Sequence, residues 1–283
     1  MSSITGSITG PITGSITGPW RTPKNSSADE VGGIHDDDTA HRLGFDGGTI
    51  PGSVSMEQFT PLLVDHFGED WWKIGGMSVF FASPVFDNEP VRCILVPQGN
   101  EKATIWMENK AGNRVVVGTA SLGEDSTSEI QSRMADNRPN PELRMMSNVV
   151  VGKRSPPCPI KIAKSEIEER IQLTTEPLDC YRTHAVAPIA PYVHAFRGVE
   201  EHIIPVNGPY VGMFGGIEVQ YLKGPVVANV DYVTQGKVIA LSDSPKTEIV
   251  WYTATLTEAD SGIAVARMTK MDRLLKSASP LWV

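Results

Sequence analysis

Apolar side chains recur at three- and four-residue steps between residues 53 and 67, which predicts the longest helix of the first half of the chain. Ser53 or Ser55 can cap the start of this helix, and Gly68 can end it. The residues on its apolar stripe are Met56, Phe59, Leu63 and Phe67.

β-branched and aromatic segments separated by polar turns follow this helix and predict a meander of strands. The second half repeats the order, with a charged helix at 165–171 and a second central segment at His184–Phe196. A helix followed by a meander is an α+β pattern. The predicted strands are 76–81, 90–96, 103–108 and 114–120 in the first half, and 212–221, 226–233, 237–240, 248–256 and 263–269 in the second.

The two halves are separated by a polar, proline-rich stretch, residues 123–158, which we interpret as a linker with one helix around 128–135. The predicted domains on either side are residues 29–122 and 159–283. The chain begins with four Ile-Thr-Gly repeats among glycine, serine and proline, so residues 1–28 are predicted to be a disordered tail.

The composition is that of an ordinary globular protein: 283 residues, 40% hydrophobic, 20% charged and with a net charge of −8. The acidic balance argues against a nucleic-acid partner, and no apolar run is long enough for a membrane helix. Three scattered cysteines suit neither a disulfide framework nor a zinc site, so a cytoplasmic location is expected.

The densest chemistry lies in GGIHDDDTAHRLGFDGGTIPG, residues 32–52. The acidic run after His35 suits a helix start, and Gly44 suits its end. The glycine-rich residues 47–52 can bring backbone N–H groups close to a ligand.

This segment resembles the hydratase motif of MaoC-like, hotdog-fold enzymes, with Ile34, His35, Asp37, Gly44, Phe45 and Gly52 at matching positions. Ala40 falls one residue early. Where the family has an aspartate five residues before the histidine, this chain has Glu30, and Gly32-Gly33 replaces Asn-Pro. The segment GGMSVFFASPVFDNEPV and the region from Gly212 to Leu256 also resemble hotdog sequences. The resemblance implies two hotdog domains in one chain, each a long helix wrapped by a curved antiparallel sheet.

The resemblance also implies a hydratase or dehydratase acting on an acyl thioester carried by CoA or an acyl-carrier protein. A carboxylate and an imidazole would move protons at the α,β bond, and N–H donors would hold the thioester oxygen. The expected catalytic residues are His35, Glu30 and Asp37, and the expected substrate-binding residues are Gly47, Gly48, Gly52 and Glu57. We expect no metal and no cofactor. The eccentric motif suggests a specialised, secondary-metabolite pathway, and a homodimer stays open.

Three alternatives use the same residues. The first is a thioesterase, in which a carboxylate directs water at the carbonyl. The second is a divalent-metal site built from His35, Asp36 or Asp37 with Glu57 or His194. The third is a hotdog scaffold that binds an acyl ligand without turnover.

Overall fold

A computed structural model of the chain describes residues 14–137 and 141–282. Within these residues, ten strands form one sheet in the order β1-β3-β4-β5-β2-β7-β10-β9-β8-β6, and every pairing is antiparallel. The strands are β1 Ile16–Thr17, β2 Gly75–Phe81, β3 Val91–Pro97, β4 Lys102–Asn109, β5 Arg114–Leu122, β6 Cys158–Lys161, β7 Gly212–Tyr221, β8 Asp231–Asp243, β9 Thr247–Glu258 and β10 Ala264–Leu275.

The order of the sheet reads alike from both ends, so the described chain divides into two similar halves. The first half comprises residues 14–122, and the second half comprises residues 158–282. The halves meet where β2 pairs with β7, with Ser78 opposite Glu218. The α+β prediction of two hotdog domains is therefore confirmed, with the two sheets fused into one.

Nine α-helices lie in the described residues, and the central ones are covered by the sheet. The helices are α1 Asp37–Arg42, α2 Gly52–Glu57, α3 Thr60–Phe67, α4 Asp70–Ile74, α5 Glu129–Ala135, α6 Lys164–Leu173, α7 Asp179–Thr183, α8 Ile189–His194 and α9 Glu200–Ile203. Phe59, Leu63 and Trp71 from the first half and Phe196 from the second are fully buried in one shared hydrophobic core. Helices α2 and α8 pack against each other at the centre of the molecule.

The predicted helix at 53–67 is two helices, because the chain bends at Gln58 and Phe59. Pro61 lies in the first turn of α3 and has no N–H group to continue the hydrogen-bond ladder from α2. The break leaves α2 as a short, almost wholly buried segment. The start of α2 is thereby held at the junction of the two halves.

Residues 14–28 differ from the disordered tail predicted for residues 1–28. Ile16 and Thr17 pair with β3 at the edge of the sheet, and Arg21 is buried, with Nη1 donating to the carbonyl oxygen of Gln58 at 3.1 Å. The Trp20 ring lies beneath the cations of Arg92 and Lys110, with 4.6 and 3.9 Å from the cations to its centroid. These contacts offset the conformational entropy lost when residues 14–28 become ordered. The composition of the segment alone did not predict them. Residues 1–13 of the predicted tail lie outside the described residues.

The predicted strand at 226–233 begins only at Asp231, and β8 then continues through the predicted separate strand at 237–240. Within the predicted linker, α5 lies where a helix was expected, with the Ser128 side chain accepting from the N–H of Gln131.

Candidate functional site

His35 is fixed by its own segment. Its Nδ1 lies 2.7 Å from the carbonyl oxygen of Thr49, and its own carbonyl oxygen accepts from the side chain of Asn25 at 2.7 Å. A carbonyl oxygen can only accept, so Nδ1 carries the proton of the neutral ring and Nε2 keeps a lone pair. The ring is half-buried. Nε2 of His35 is therefore a proton acceptor held in a fixed orientation.

Asp37 shapes the glycine-rich turn. One of its oxygens accepts the backbone N–H of Gly48 at 2.7 Å, and Gly48 lies so close to the carbonyl oxygen of His35 that no side chain fits there. The carboxylate of Asp36 caps α1, and its pKa is lowered chiefly by the hydroxyl of Thr39. The hydrogen bond from the Gly48 N–H to Asp37 therefore holds the turn. Gly47 lies beside the same Asp37 carboxylate.

The start of α2 follows three residues after the carbonyl that holds His35. Pro51 precedes Gly52 and gives no side-chain cap. Within residues 14–137 and 141–282, the backbone N–H groups of Gly52 and Ser53 donate no hydrogen bond. A Cβ on Gly52 would lie 2.8 Å from the ring of Phe81 and 2.9 Å from that of Phe214. The start of α2 therefore carries two N–H groups with no acceptor among the described residues, and Gly52 lies against two aromatic rings, one from each half.

Glu57 is held away from the glycine turn. Its carboxylate accepts Arg170 Nε at 2.9 Å and the backbone N–H of Ala190 at 3.0 Å, and its side chain is 1% exposed. Ala190 is the second residue of α8. In this structure Glu57 therefore closes the start of α8 with its own negative charge.

Glu30 is exposed on a turn, with its N–H donating to the carbonyl oxygen of Ser27 at 3.0 Å. Its charge acts on His194 of the second half, opposing the fall in the pKa of that imidazole. Of the predicted site residues, His35, Asp37, Gly47, Gly48 and Gly52 lie together along one segment. Glu30 lies on the preceding turn, and Glu57 lies at the other helix start.

The second half brings a charged cluster that the motif did not predict. The Lys270 side chain is 1% exposed, and its Nζ lies 2.8 Å from Glu200, 3.0 Å from Asp272 and 4.0 Å from the Phe214 ring centroid. Burial raises the pKa of Asp272 to about 6, although Lys270 opposes the shift. Burial also acts to raise the pKa of Glu200, but Lys270 and Arg197 outweigh it and hold that pKa below its usual range.

A signal for this cluster was present in the sequence. Lys270 and Asp272 are two residues apart in the otherwise largely apolar strand β10, and such spacing puts both side chains on one face. What could not be read from the sequence is which face is buried. Phe214 links the cluster to Gly52, so the cluster lies behind the start of α2.

A groove of about 290 Å³ lies elsewhere, lined by Phe80, Arg133, Trp251, Met271 and Arg273 among others. Met271 and Arg273 alternate with Lys270 and Asp272 along β10, so the groove is on the opposite face of the sheet. It is separate from the histidine segment and is not part of the candidate site.

No group of three or more histidine, cysteine, aspartate or glutamate side chains suited to a metal ion occurs among the described residues. Within the same part of the chain, none of the helices is long and apolar enough to span a membrane.

The fold has counterparts among solved structures. A conserved hypothetical protein from Mycobacterium tuberculosis with a double hotdog fold superposes with a TM-score of 0.64 at 7% identity, covering 93% of this chain and 97% of that one. A putative MaoC domain protein dehydratase from Chloroflexus aurantiacus gives a TM-score of 0.61 at 10% identity, covering 92% and 94%. A MaoC-like dehydratase gives 0.50 at 15% identity, covering 92% and 97%.

No protein-family model matches the sequence, and no curated protein sequence matches it. The likeness to solved structures at these identities establishes the fold, so the chain is a double hotdog protein. The chemistry has to be argued from its own residues.

Proposed function

We propose that the chain is an acyl-thioester hydratase or dehydratase whose site lies at the start of α2 and uses His35 as its acid/base group. The observation that carries this proposal is the bond between His35 Nδ1 and Thr49, 2.7 Å long and three residues before Gly52. It fixes a proton acceptor relative to the free N–H groups of the helix start. Proton transfer at the α,β bond and charge stabilisation on the thioester oxygen need these two features together.

In the hydration direction, His35 Nε2 takes a proton from water as the water oxygen bonds to Cβ of an enoyl thioester. The π electrons of the double bond move toward the carbonyl and give an enolate, whose oxygen accepts the N–H of Gly52. The proton on His35 then passes to Cα, which restores the carbonyl and leaves a 3-hydroxyacyl thioester. Dehydration is the same sequence in reverse.

Glu30 is the carboxylate proposed to assist the proton transfer, in place of the aspartate of the motif. Its exposed position in this structure means that substrate would have to bring it into contact with the water. Asp37 is the alternative carboxylate, but its bond to the Gly48 N–H supports a role in shaping the turn. Glu30→Gln and Asp37→Asn separate these roles: loss of turnover with an unchanged KM supports Glu30, and loss of substrate binding is expected for Asp37.

The substrate is proposed to be an acyl group on CoA or on a carrier protein. Purified chain is incubated with enoyl-CoA and 3-hydroxyacyl-CoA panels of increasing chain length, while the enoyl absorbance and free thiol are followed together. Water addition without thiol release is the expected result. Thiol release would replace the proposal with a thioesterase, and saturable binding with neither change would replace it with an acyl-binding scaffold.

A further inference from the structure

The two halves repeat one pattern of backbone contacts just before their central helices. The N–H of Ile50 donates to the carbonyl oxygen of Val85 at 2.9 Å, and the N–H of Ala187 donates to that of Val226 at 2.9 Å. A proline follows in each case and precedes α2 or α8. The asparagines three residues beyond Val85 and Val226, Asn88 and Asn229, both have positive φ. The halves therefore correspond residue by residue around the helix starts.

This correspondence matches Glu57 with His194, because each is the sixth residue after its proline. Glu57 crosses from α2 to the N–H of Ala190, the second residue of α8. The residue matching Ala190 is Ser53, the second residue of α2. Since α2 and α8 pack against each other, the same relation between the halves would place His194 opposite Ser53, although no hydrogen bond joins the two side chains in this structure.

The acceptor supplied by Glu57 at α8 has no described equivalent at α2. Ser53 is fully buried, its hydroxyl has no partner among the described residues, and its N–H makes no described hydrogen bond. Buried polar groups in native proteins are almost always paired. An oxygen from a ligand would supply the acceptor that Glu57 supplies at the other helix.

His194 is exposed at the end of α8 and lies near charged groups from both halves of the chain. It is accessible to solvent, yet burial among its neighbours, followed by the charges of Arg197, Lys270 and Arg170, lowers its pKa to about 4. The ring is neutral at pH 7 and keeps one N–H, so it can donate a hydrogen bond without bringing a charge.

We propose that His194 is a second catalytic residue, which donates a hydrogen bond to the thioester oxygen at the start of α2 beside Gly52 and Ser53. This inference rests on the proposed hydratase function and deepens it. His194 transfers no proton in this scheme. It stabilises the enolate oxygen while His35 moves the proton, so each half of the chain supplies one histidine to a single site.

The kinetic test compares His194→Leu, which removes the donor, with His194→Gln, which keeps an N–H donor on a neutral side chain. Losing one donor to a developing oxyanion typically lowers kcat by about 100- to 1,000-fold. We expect His194→Leu to lower kcat by about 100-fold with KM changed by less than about threefold, and His194→Gln to recover about tenfold of that loss. The matched control is His202→Leu, on the exposed face of α9, with unchanged kcat. A kcat for His194→Leu within threefold of wild type, in a cooperatively folded protein, would overturn the inference.

A binding measurement tests the same contact without turnover. The probe is an acyl-CoA analogue with a methylene group between carbonyl and sulfur, which keeps the oxygen and cannot be hydrolysed. The imidazole ¹⁵N signals of His194, assigned with His194→Gln, are expected to shift on saturation in wild type and in His35→Ala. Unmoved signals, or no binding at all, would overturn the inference. If the enoyl-CoA panel shows no hydration but the His194 signals shift, the proposed reaction is wrong and the His194 contact stands.

Discussion

The two central helices, α2 and α8, are preceded by matching backbone contacts. They differ in whether their first N–H groups have an acceptor. At α8, the carboxylate of Glu57 accepts the N–H of Ala190 and is itself held by Arg170, with both side chains less than 10% exposed. At α2, the N–H groups of Gly52 and Ser53 have no described acceptor, and His35 is fixed three residues before the helix. An internally repeated fold offers two equivalent anion sites, and here the protein fills one with its own carboxylate. The difference explains why the proposed site is single.

The start of α8, which Glu57 and Arg170 close, should be the most sensitive to mutation. Arg170→Met leaves the carboxylate of Glu57 buried with one backbone donor, and breaking a buried pair this way costs about 3–5 kcal/mol. Urea unfolding followed by circular dichroism measures the loss. The double variant Glu57→Gln/Arg170→Met removes both charges while its amide oxygen still accepts from Ala190, so we expect it to recover most of the stability.

An exposed pair gives the control for Arg170→Met. The side chains of Lys73 and Asp70 are 62% and 61% exposed, so Lys73→Met should cost less than about 1 kcal/mol. Equal losses from Arg170→Met and Lys73→Met would mean that α8 is not closed by the ion pair.

The start of α2 is tested by replacing His35, the acid/base group proposed beside it. His35→Ala should lower turnover by about 100-fold or more, or about 2.7 kcal/mol, because general acid–base catalysis contributes about that much. Folding should stay cooperative, since the ring is only half-buried. His41, on the exposed face of α1 in the same segment, provides the matched control. If His35→Ala and His41→Ala left equal turnover, the reaction would not depend on the motif histidine.

The spacing of apolar residues predicted most of the strands and the order of both halves, because alternation records which side of a strand is buried. The segment that holds His35, Asp37 and Gly52 was found instead from its dense chemistry and its resemblance to the hydratase motif. The spacing could not predict the role of Glu57, whose partners Arg170 and Ala190 are more than a hundred residues away. Only the packing of α2 on α8 brings them together.

The order of residues 14–28 was missed for a related reason. Their glycine- and serine-rich composition supplies no core, but Trp20 contacts Arg92 of β3 and Lys110 just after β4, and Arg21 donates to the carbonyl oxygen of Gln58 between α2 and α3. Local sequence reports how much apolar surface a segment carries. It does not report whether an open sheet edge is available to receive that segment.

A smaller effect is expected where α2 meets the aromatic rings. Gly52→Ala puts a methyl group 2.8 and 2.9 Å from Phe81 and Phe214, and the rings must move to accept it. Such overpacking costs about 1–3 kcal/mol, against a helix-propensity gain of up to about 1 kcal/mol. We expect a net loss of stability near 1 kcal/mol and turnover lowered by about tenfold, because the free N–H groups shift with the ring positions.

The neighbouring glycine turn provides the control for Gly52→Ala. The nearest atom to a Cβ on Gly47 is an oxygen of Asp37 at 3.5 Å, an ordinary contact. Gly47→Ala should therefore leave the free energy of unfolding within about 0.5 kcal/mol of wild type. Equal effects at both glycines would show that the aromatic contact does not set the position of the helix start.

The last expected effect is a change in how stability depends on pH. The pKa of His194 is about 4 in the folded chain, chiefly through burial and then through Arg197, Lys270 and Arg170, while Glu30 opposes the shift. An unfolded histidine has a pKa near 6.5. Between these values the unfolded chain binds a proton at His194 and the folded chain does not.

Stability from His194 therefore rises as pH increases from about 4 to about 6.5. Asp272 acts in the opposite direction, because burial raises its folded pKa to about 6 and the folded chain holds the proton more tightly. We expect His194→Gln to gain stability relative to wild type as pH falls through this window, measured by urea unfolding at several pH values. His202→Gln makes the same chemical change on an exposed helix face. If both variants gave the same pH profile, the charges of Arg197, Lys270 and Arg170 would not act on His194, and the contrast between the two helix starts would rest on Glu57 alone.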